Sequence, residues 1–214
     1  MFCTHAVNYY WRKYGEADGT DLVDIIEAAA AGVYPAAGDV HGIGRARIPE
    51  IKGKYGDRFR AAVLIREPLA RLKSQVALFE RENYAQWGDL KYVDPLIAAA
   101  GIDPHALTSA QRHFFHGANM LNAIIDERAV GPIFRMEDVT RDHERFLDLF
   151  RHLTADRVPF SADWGRAAIS AGGVNRHRSS QIEFGPFEQK IINSVVKPEA
   201  WDLYRELGYP APEA

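Results

Sequence analysis

Two arginines and a serine stand close together in the segment RAAVLIREPLARLKSQ, which covers residues 60–75. Arg66 follows a short apolar run, and Arg71 and Ser74 follow soon after it. A guanidinium group can bind a phosphate through two parallel hydrogen bonds, and a serine hydroxyl can donate one more. These residue types at this spacing therefore predict a phosphate-binding site. Taken alone, the segment is equally consistent with surface ion pairs between the arginines and nearby glutamates, namely Glu67, Glu80 and Glu82.

The neighbouring sequence predicts the elements that would position these three side chains. Residues 61–65 are continuously apolar, which is typical of a strand buried on both faces of a parallel sheet. Pro68 is a favourable first residue for a helix, and the start of that helix would present free backbone N–H groups to an anion. Arg71 and Ser74 would share one face of the helix. Arg66 would lie where the strand ends, which is where open α/β sheets bind ligands.

Apolar patterns elsewhere predict strands that alternate with helices. Strands are expected in residues 33–42, which run into a glycine-containing loop, and in residues 131–135. Helices are expected in residues 2–15, 21–32, 49–54, 68–83, 108–125 and 186–207, and in a segment up to Leu153 that begins at Asp138 or Thr140. This order is typical of an α/β fold with a mainly parallel sheet. Because no linker or repeat interrupts it, residues 1–214 are predicted to form a single domain.

The composition limits the classes of protein to consider. The chain has 214 residues, of which 47% are apolar, and a net charge of −3, which argues against a general nucleic-acid binder. Its single cysteine, Cys3, excludes an internal disulfide and fits a reducing compartment. No apolar run approaches the roughly 20 residues of a membrane span, and the first residues lack the layout of a signal peptide. We therefore expect a cytoplasmic protein without a membrane span.

The pattern R-x-P-x-x-R-x-x-S after an apolar strand resembles the 3′-phosphate-binding element of the PAPS-dependent sulfotransferases, whose sulfuryl donor is 3′-phosphoadenosine-5′-phosphosulfate (PAPS). The resemblance implies that Arg66 and Ser74 hold the 3′-phosphate, with Arg71 as the arginine common in carbohydrate and bacterial members. Further segments resemble the family in the same order, and these are 134–138 (FRMED), 141–146, 168–180 and 201–209. The family's fold is a P-loop NTPase-like, three-layer α/β/α arrangement around a central, mainly parallel sheet.

Two other groups of candidate site residues come from the same resemblance. His41 lies in DVHGIGRARIP, about where many sulfotransferases carry T-H-L-P, and would be the general base that accepts the proton of the acceptor hydroxyl. A loop histidine bonded to a carbonyl is the alternative. Gly173, Arg176 and Arg178 lie in AISAGGVNRHRSS, which resembles the late loop that closes over the nucleotide. A solvated turn is the alternative for these three residues.

One expected element of the family has no counterpart in the sequence. Sulfotransferases begin with a strand and a loop similar to P-K-S/T-G-T-S/T, which holds the 5′-phosphosulfate. The first residues here, MFCTHAVNYYWRK, resemble the helix that follows this loop, so the fold is expected to lack its first strand. The chain is then either an N-terminally truncated sulfotransferase or a degenerate member that does not transfer sulfate. A P-loop kinase is disfavoured because no Walker lysine is found.

The predicted function is transfer of a sulfuryl group from PAPS to a hydroxyl of a carbohydrate, lipid or small-molecule acceptor, with no metal required. The alternative is a non-catalytic nucleotide-binding domain on the same fold. His113 and His116 have no nearby cysteine or carboxylate that would suggest a metal site, and they are expected to line the acceptor cleft or simply to pack. The sequence determines neither the acceptor nor the oligomeric state.

Overall fold

The structure is a computed structural model of the chain. It describes residues 2–4, 31, 37–39, 48–81, 90, 93–170 and 182–211. The strands in these ranges are β1 (Phe2–Thr4), β2 (Ala37–Asp39), β3 (Val63–Ile65) and β4 (Ile133–Arg135). The helices are α1 (Ile48–Tyr55), α2 (Pro68–Arg81), α3 (Asp94–Ala99), α4 (Ser109–Met120), α5 (Ile124–Glu127), α6 (Met136–Val139), α7 (His143–Thr154), α8 (Ala162–Ser170), α9 (Pro186–Val195) and α10 (Pro198–Glu206). Short 3-10 turns cover Gly56–Arg58, Pro104–Ala106 and Leu121–Ala123.

The described strands form two parallel pairs, and helices predominate around them. β1 pairs with β2, from Phe2 opposite Ala37 to Thr4 opposite Asp39. β3 pairs with β4, from Val63 opposite Ile133 to Ile65 opposite Arg135. The predicted mixed α/β class is confirmed, as are the strands expected within residues 33–42, 61–65 and 131–135. A central three-layer sheet stays a prediction.

Two expectations about the strands are wrong. Phe2–Thr4 was expected to begin a helix and is instead a strand, because aromatic and β-branched residues suit an extended backbone that has a pairing partner. β3 was expected to be buried on both faces. Ile65 is only 3% exposed, but Leu64 is 43% exposed. Successive side chains of a strand point to opposite faces, so the face that carries Leu64 is partly open.

The helices predicted at 49–54 and 68–83 are present as α1 and α2, with shifts at their ends. The helix predicted at 108–125 is divided into α4, a 3-10 turn and α5, and the helix predicted at 186–207 is divided into α9 and α10. The helix predicted at 21–32 lies, apart from position 31, outside the described residues. α4 begins with a capping box, in which Thr108 Oγ1 accepts from the Gln111 N–H at 3.2 Å and Gln111 Oε1 accepts from the Thr108 N–H at 2.9 Å. The cap of α7 is Asp142, which accepts from the Glu144 N–H at 2.9 Å. The sequence placed this cap at Asp138 or Thr140, which is wrong because Asp138 lies inside the short helix α6.

The chain divides into two compact units, and the first comprises Met1–Ala62, Val130–Pro132 and Arg141–Ser170. α7 and α8 pack against each other in it, and the close contact depends on Gly165, where a Cβ would lie 3.1 Å from Leu147 Cγ. An aromatic cluster surrounds this contact, with ring centroids 4.7 to 5.4 Å apart. Its members are Phe146, Phe150, Phe160 and Trp164. The prediction of a single domain stays a prediction.

The second unit comprises Val63–Ala129, Ile133–Thr140 and Ala171–Ala214, and it contains a large hydrophobic core. α4 lies at its centre and packs on α2 and α9. Asn122 links two distant segments, since its amide donates to the Val195 carbonyl at 2.9 Å and its oxygen accepts from the Lys197 N–H at 2.7 Å. The fully buried side chains include Leu72, Phe115, Leu121, Ile191, Ile192 and Tyr204.

A helix that spans a membrane needs about 20 predominantly apolar residues. None of the helices in the described ranges combines sufficient length with sufficient hydropathy to cross a membrane.

Candidate functional site

Arg66 lies at the carboxyl end of β3, next to the carboxyl end of β4. The register places Ile65 opposite Arg135, so the two parallel strands end at the same edge. In open α/β sheets this edge is the place where ligands bind. The Arg66 side chain is partly buried, and it forms no hydrogen bond or ion pair with any side chain that the structure describes. A partly buried guanidinium group in this position is suited to binding an anion.

Arg71 and Ser74 follow on α2, as the sequence predicted, and both are partly buried. The Ser74 hydroxyl, like Arg66, has no hydrogen-bond partner among the described residues. Arg71 differs, because its guanidinium group lies beside the Tyr204 hydroxyl of α10 and near His116 of α4. Arg66 and Ser74 are therefore available to a ligand, whereas Arg71 already interacts with neighbouring helices.

The start of α2 is not free to bind an anion. Glu67 accepts a hydrogen bond from the Leu69 N–H at 3.0 Å and another from the Ala70 N–H, and its carbonyl accepts from the Arg71 N–H at 2.9 Å. Pro68 has no N–H to offer. The expectation of free backbone donors at this helix start is thus wrong, because the residue before the proline caps the helix. It also means that Glu67 is turned onto the helix amides and not toward Arg66.

Glu137 and Tyr209 hold the turn that carries Arg66. Glu137 Oε1 accepts from the Glu67 N–H at 2.9 Å, and Glu137 Oε2 lies 2.5 Å from the Tyr209 hydroxyl. The same hydroxyl lies 3.0 Å from the Ile65 carbonyl oxygen, so its single proton is shared between two acceptors. Neither Glu137 nor Tyr209 is among the site residues predicted from the sequence.

Burial and hydrogen bonding together set the pKa values of Glu137 and Tyr209. Burial alone would raise the pKa of Glu137, but the bonds from Glu67 N–H and Tyr209, together with the charge of Arg135, bring that pKa below its usual value. Burial and the neighbouring Glu137 carboxylate raise the pKa of Tyr209 well above its usual value. At neutral pH the pair therefore consists of a carboxylate and a protonated phenol.

Two histidines of α4 lie at least partly buried in this unit. His113 is 2% exposed, and burial lowers its pKa below 6.5. The pKa of His116 is also lowered, first by burial and then by the charges of His113 and Arg71. Burial raises the pKa of Tyr204 to about 12. Both histidines are consequently neutral at pH 7, as expected for side chains that pack between helices.

The other predicted site residues lie outside the described residues, and these are His41, Gly173, Arg176 and Arg178. The segment 168–180 was expected to be a loop. Its first part, Ala168 to Ser170, is the last part of α8. The structure therefore places Arg66 at the β3–α2 junction and Arg71 and Ser74 on the helix that follows, and the roles of the remaining candidates stay predictions.

A second concave surface lies within the first unit. It is an open cleft of about 220 Å³, into which Lys52, Arg60 and His152 project from different segments. His152 Nε2 lies 2.9 Å from the Ala61 carbonyl oxygen, which can only accept, so this nitrogen carries the proton. Arg60 Nη1 bonds the backbone carbonyls of Asp57 and Phe59, the second at 2.9 Å. These contacts hold Arg60 and His152 to the backbone around the cleft.

Among the residues that the structure describes, no group of three or more histidine, cysteine, aspartate or glutamate side chains is arranged to hold a metal ion.

Comparisons with protein-family models, with curated proteins and with solved structures found no match for this chain. A family assignment is therefore a hypothesis, carried by the R-x-P-x-x-R-x-x-S pattern and by the position of its residues at the β3–α2 junction.

Proposed function

We propose that the chain is a PAPS-dependent sulfotransferase domain that transfers a sulfuryl group to a hydroxyl of a carbohydrate, lipid or small-molecule acceptor. The proposal includes a P-loop NTPase-like, three-layer α/β/α sheet and a cytoplasmic location. Arg66 and Ser74 would bind the 3′-phosphate of the nucleotide, and Arg71 would support them. Gly173, Arg176 and Arg178 would approach the nucleotide from a later segment.

The position and surroundings of Arg66 carry this proposal. The side chain stands where a parallel strand ends, it is partly buried, and no described side chain neutralises it. Glu67, the acidic residue next to Arg66 in sequence, accepts hydrogen bonds from backbone N–H groups of α2 instead of pairing with Arg66. Ser74 lies two turns into the helix that follows and is also available. A guanidinium group and a hydroxyl in this arrangement fit a dianionic phosphate.

The residues would act mainly by positioning and by electrostatic stabilisation. PAPS supplies the sulfuryl group, and its reaction joins the acceptor oxygen to sulfur while the bond from sulfur to the 5′-phosphate oxygen breaks, which leaves adenosine 3′,5′-bisphosphate. His41 would take the proton of the acceptor hydroxyl. Arg66 and Ser74 would fix the nucleotide at its far end, away from the reacting sulfur.

A calorimetric titration tests the nucleotide site without knowledge of the acceptor. We expect adenosine 3′,5′-bisphosphate to bind more tightly than 5′-AMP or adenosine 2′,5′-bisphosphate. Charge-assisted hydrogen bonds contribute about 1.5–3 kcal/mol, so Arg66→Ala should weaken bisphosphate binding by roughly 10- to 150-fold. Ser74→Ala should weaken it by about 2- to 10-fold, because one neutral donor is lost.

The matched control is Arg128→Ala, which removes an exposed arginine of the same unit from a site remote in sequence from β3 and α2. This variant should bind the bisphosphate as the wild type does. Equal affinity for the three nucleotides, or wild-type affinity in Arg66→Ala, would refute the proposed site. Binding without release of adenosine 3′,5′-bisphosphate from PAPS, across hydroxyl acceptors, would instead support the non-catalytic alternative.

A further inference from the structure

The two peptide groups that flank Arg66 are both held by residues from distant parts of the chain. The Ile65 carbonyl accepts from the Tyr209 hydroxyl at 3.0 Å, and the Glu67 N–H donates to Glu137 Oε1 at 2.9 Å. Glu137 Oε2 and the Tyr209 hydroxyl are in turn 2.5 Å apart. A single connected pair of side chains therefore bonds the backbone on both sides of Arg66.

This pair of side chains is itself well supported. Tyr209 is 4% exposed, and the Arg135 guanidinium lies over its ring at 4.7 Å from the ring centroid. Gly208 adopts a positive φ of 80°, which turns the chain after α10 and brings Tyr209 toward β3. Glu137 comes from α6, directly after the strand that pairs with β3. The Glu137–Tyr209 pair thus has little freedom to move away from the turn.

We propose that Glu137 and Tyr209 form a positioning clamp that directs Arg66 toward a 3′-phosphate, an inference that rests on the proposed function. A guanidinium group binds a phosphate through two hydrogen bonds only when its orientation is correct, and small displacements at such a site are costly. The Glu137–Tyr209 clamp sets the backbone on both sides of Arg66 and so limits the directions that its side chain can take. Neither clamp residue needs to touch the nucleotide.

Three substitutions test the Glu137–Tyr209 clamp. Tyr209→Phe removes the bond to Ile65 and keeps the ring that Arg135 covers, and Glu137→Ala removes the bond to Glu67. Each should lower the affinity for adenosine 3′,5′-bisphosphate by about 3- to 10-fold, which corresponds to one ordinary hydrogen bond, while 5′-AMP binding changes less than about twofold. Compared with Glu137→Ala, Glu137→Gln should restore the discrimination between adenosine 3′,5′-bisphosphate and 5′-AMP. Its side-chain amide can accept from the Glu67 N–H and donate to the Tyr209 oxygen.

The control must separate positioning from a general loss of stability. Asn122→Ala breaks another pair of long-range bonds to the backbone in the same unit, those to Val195 and Lys197. It should lower the unfolding temperature yet keep the ratio between the affinities for the bisphosphate and 5′-AMP. That ratio and the unfolding temperature are measured for every variant, by calorimetric titration and by thermal unfolding.

The outcomes distinguish this inference from the function on which it rests. If Arg66→Ala leaves the affinity ratio unchanged, the proposed function fails. If Arg66→Ala lowers the ratio and Tyr209→Phe does not, the clamp is refuted while the nucleotide site stands. A fall in the ratio in Asn122→Ala equal to that in Tyr209→Phe would also refute the clamp. Should Glu137→Ala fail to fold, Tyr209→Phe decides, because it removes a single oxygen atom.

Discussion

Replacing Gly131 with alanine tests how closely two backbone segments approach each other in the first unit. A Cβ on Gly131 would lie 2.2 Å from the Ala61 carbonyl oxygen and 3.0 Å from its carbonyl carbon. Atoms at such distances overlap strongly, so the two segments would have to separate by most of an ångström. The added methyl group meets backbone atoms, which cannot move aside as a flexible side chain can.

The cost of this substitution follows from the same contact. Overpacking of this kind costs about 1–3 kcal/mol. The Ala61 carbonyl also accepts the hydrogen bond from His152 Nε2 at 2.9 Å, and its displacement would weaken that bond, which is worth about 1 kcal/mol. We therefore expect Gly131→Ala to lower the free energy of unfolding by about 2–4 kcal/mol. For a chain of this size the unfolding temperature should fall by about 4–15 °C.

Gly53→Ala is the matched control, since it makes the same chemical change in the same unit. Gly53 lies on α1, and beyond its chain neighbours and the backbone of its own helix no heavy atom lies within 4 Å of the position of its Cβ. Alanine is favoured over glycine in a helix by about 0.5–1 kcal/mol, so this variant should be more stable than the wild type. Urea unfolding followed by circular dichroism measures both variants. A Gly131→Ala variant within about 0.5 kcal/mol of the wild type would refute the close approach.

Two further predictions concern the second unit. Thr108→Ala removes the capping box of α4 and should lower the free energy of unfolding by about 1 kcal/mol in urea titrations, whereas Thr108→Ser should keep most of the stability. The lowered pKa values of His113 and His116 mean that the unfolded chain takes up protons before the folded chain does as the pH falls below 6.5. Stability should therefore be retained above pH 6.5 and fall below it, by at most about 1.4 kcal/mol per pH unit for each histidine. His116→Gln should reduce this slope in unfolding curves at several pH values, and an unchanged slope would contradict the assignment.

Local features of the fold were predictable because their causes lie within a few residues. Thr108 and Gln111 are three residues apart, so the capping box can be identified from their types alone. Pro68 marks the start of α2 in the same way, since proline favours the first position of a helix. The apolar residues of β3 also stand out in sequence, although the exposure of Leu64 does not.

Features that depend on distant partners were not predictable. Phe2–Thr4 is only three residues long, which is too short for an alternating pattern to indicate a strand. Its extended form becomes clear only when its partner, Ala37–Asp39, is known. The position of Tyr209 is a similar case, because the Ile65 carbonyl that it bonds lies 144 residues away in the chain. Sequence reasoning ended the last helix at residue 207 and could not show which strand the tyrosine two residues later reaches.

Glu67 shows why the candidate site could be predicted only in part. The position of Arg66 follows from local order, a strand and then a proline, and the sequence predicted it correctly. From the same order we expected free backbone N–H groups at the start of α2. Glu67 instead accepts hydrogen bonds from N–H groups there and places a negative charge at the positive end of the helix dipole. Any phosphate at this junction must therefore be bound by side chains and not by the backbone. Arg66 then has to supply most of the attraction, which is why its removal is expected to have a much larger effect on nucleotide affinity than the loss of Ser74.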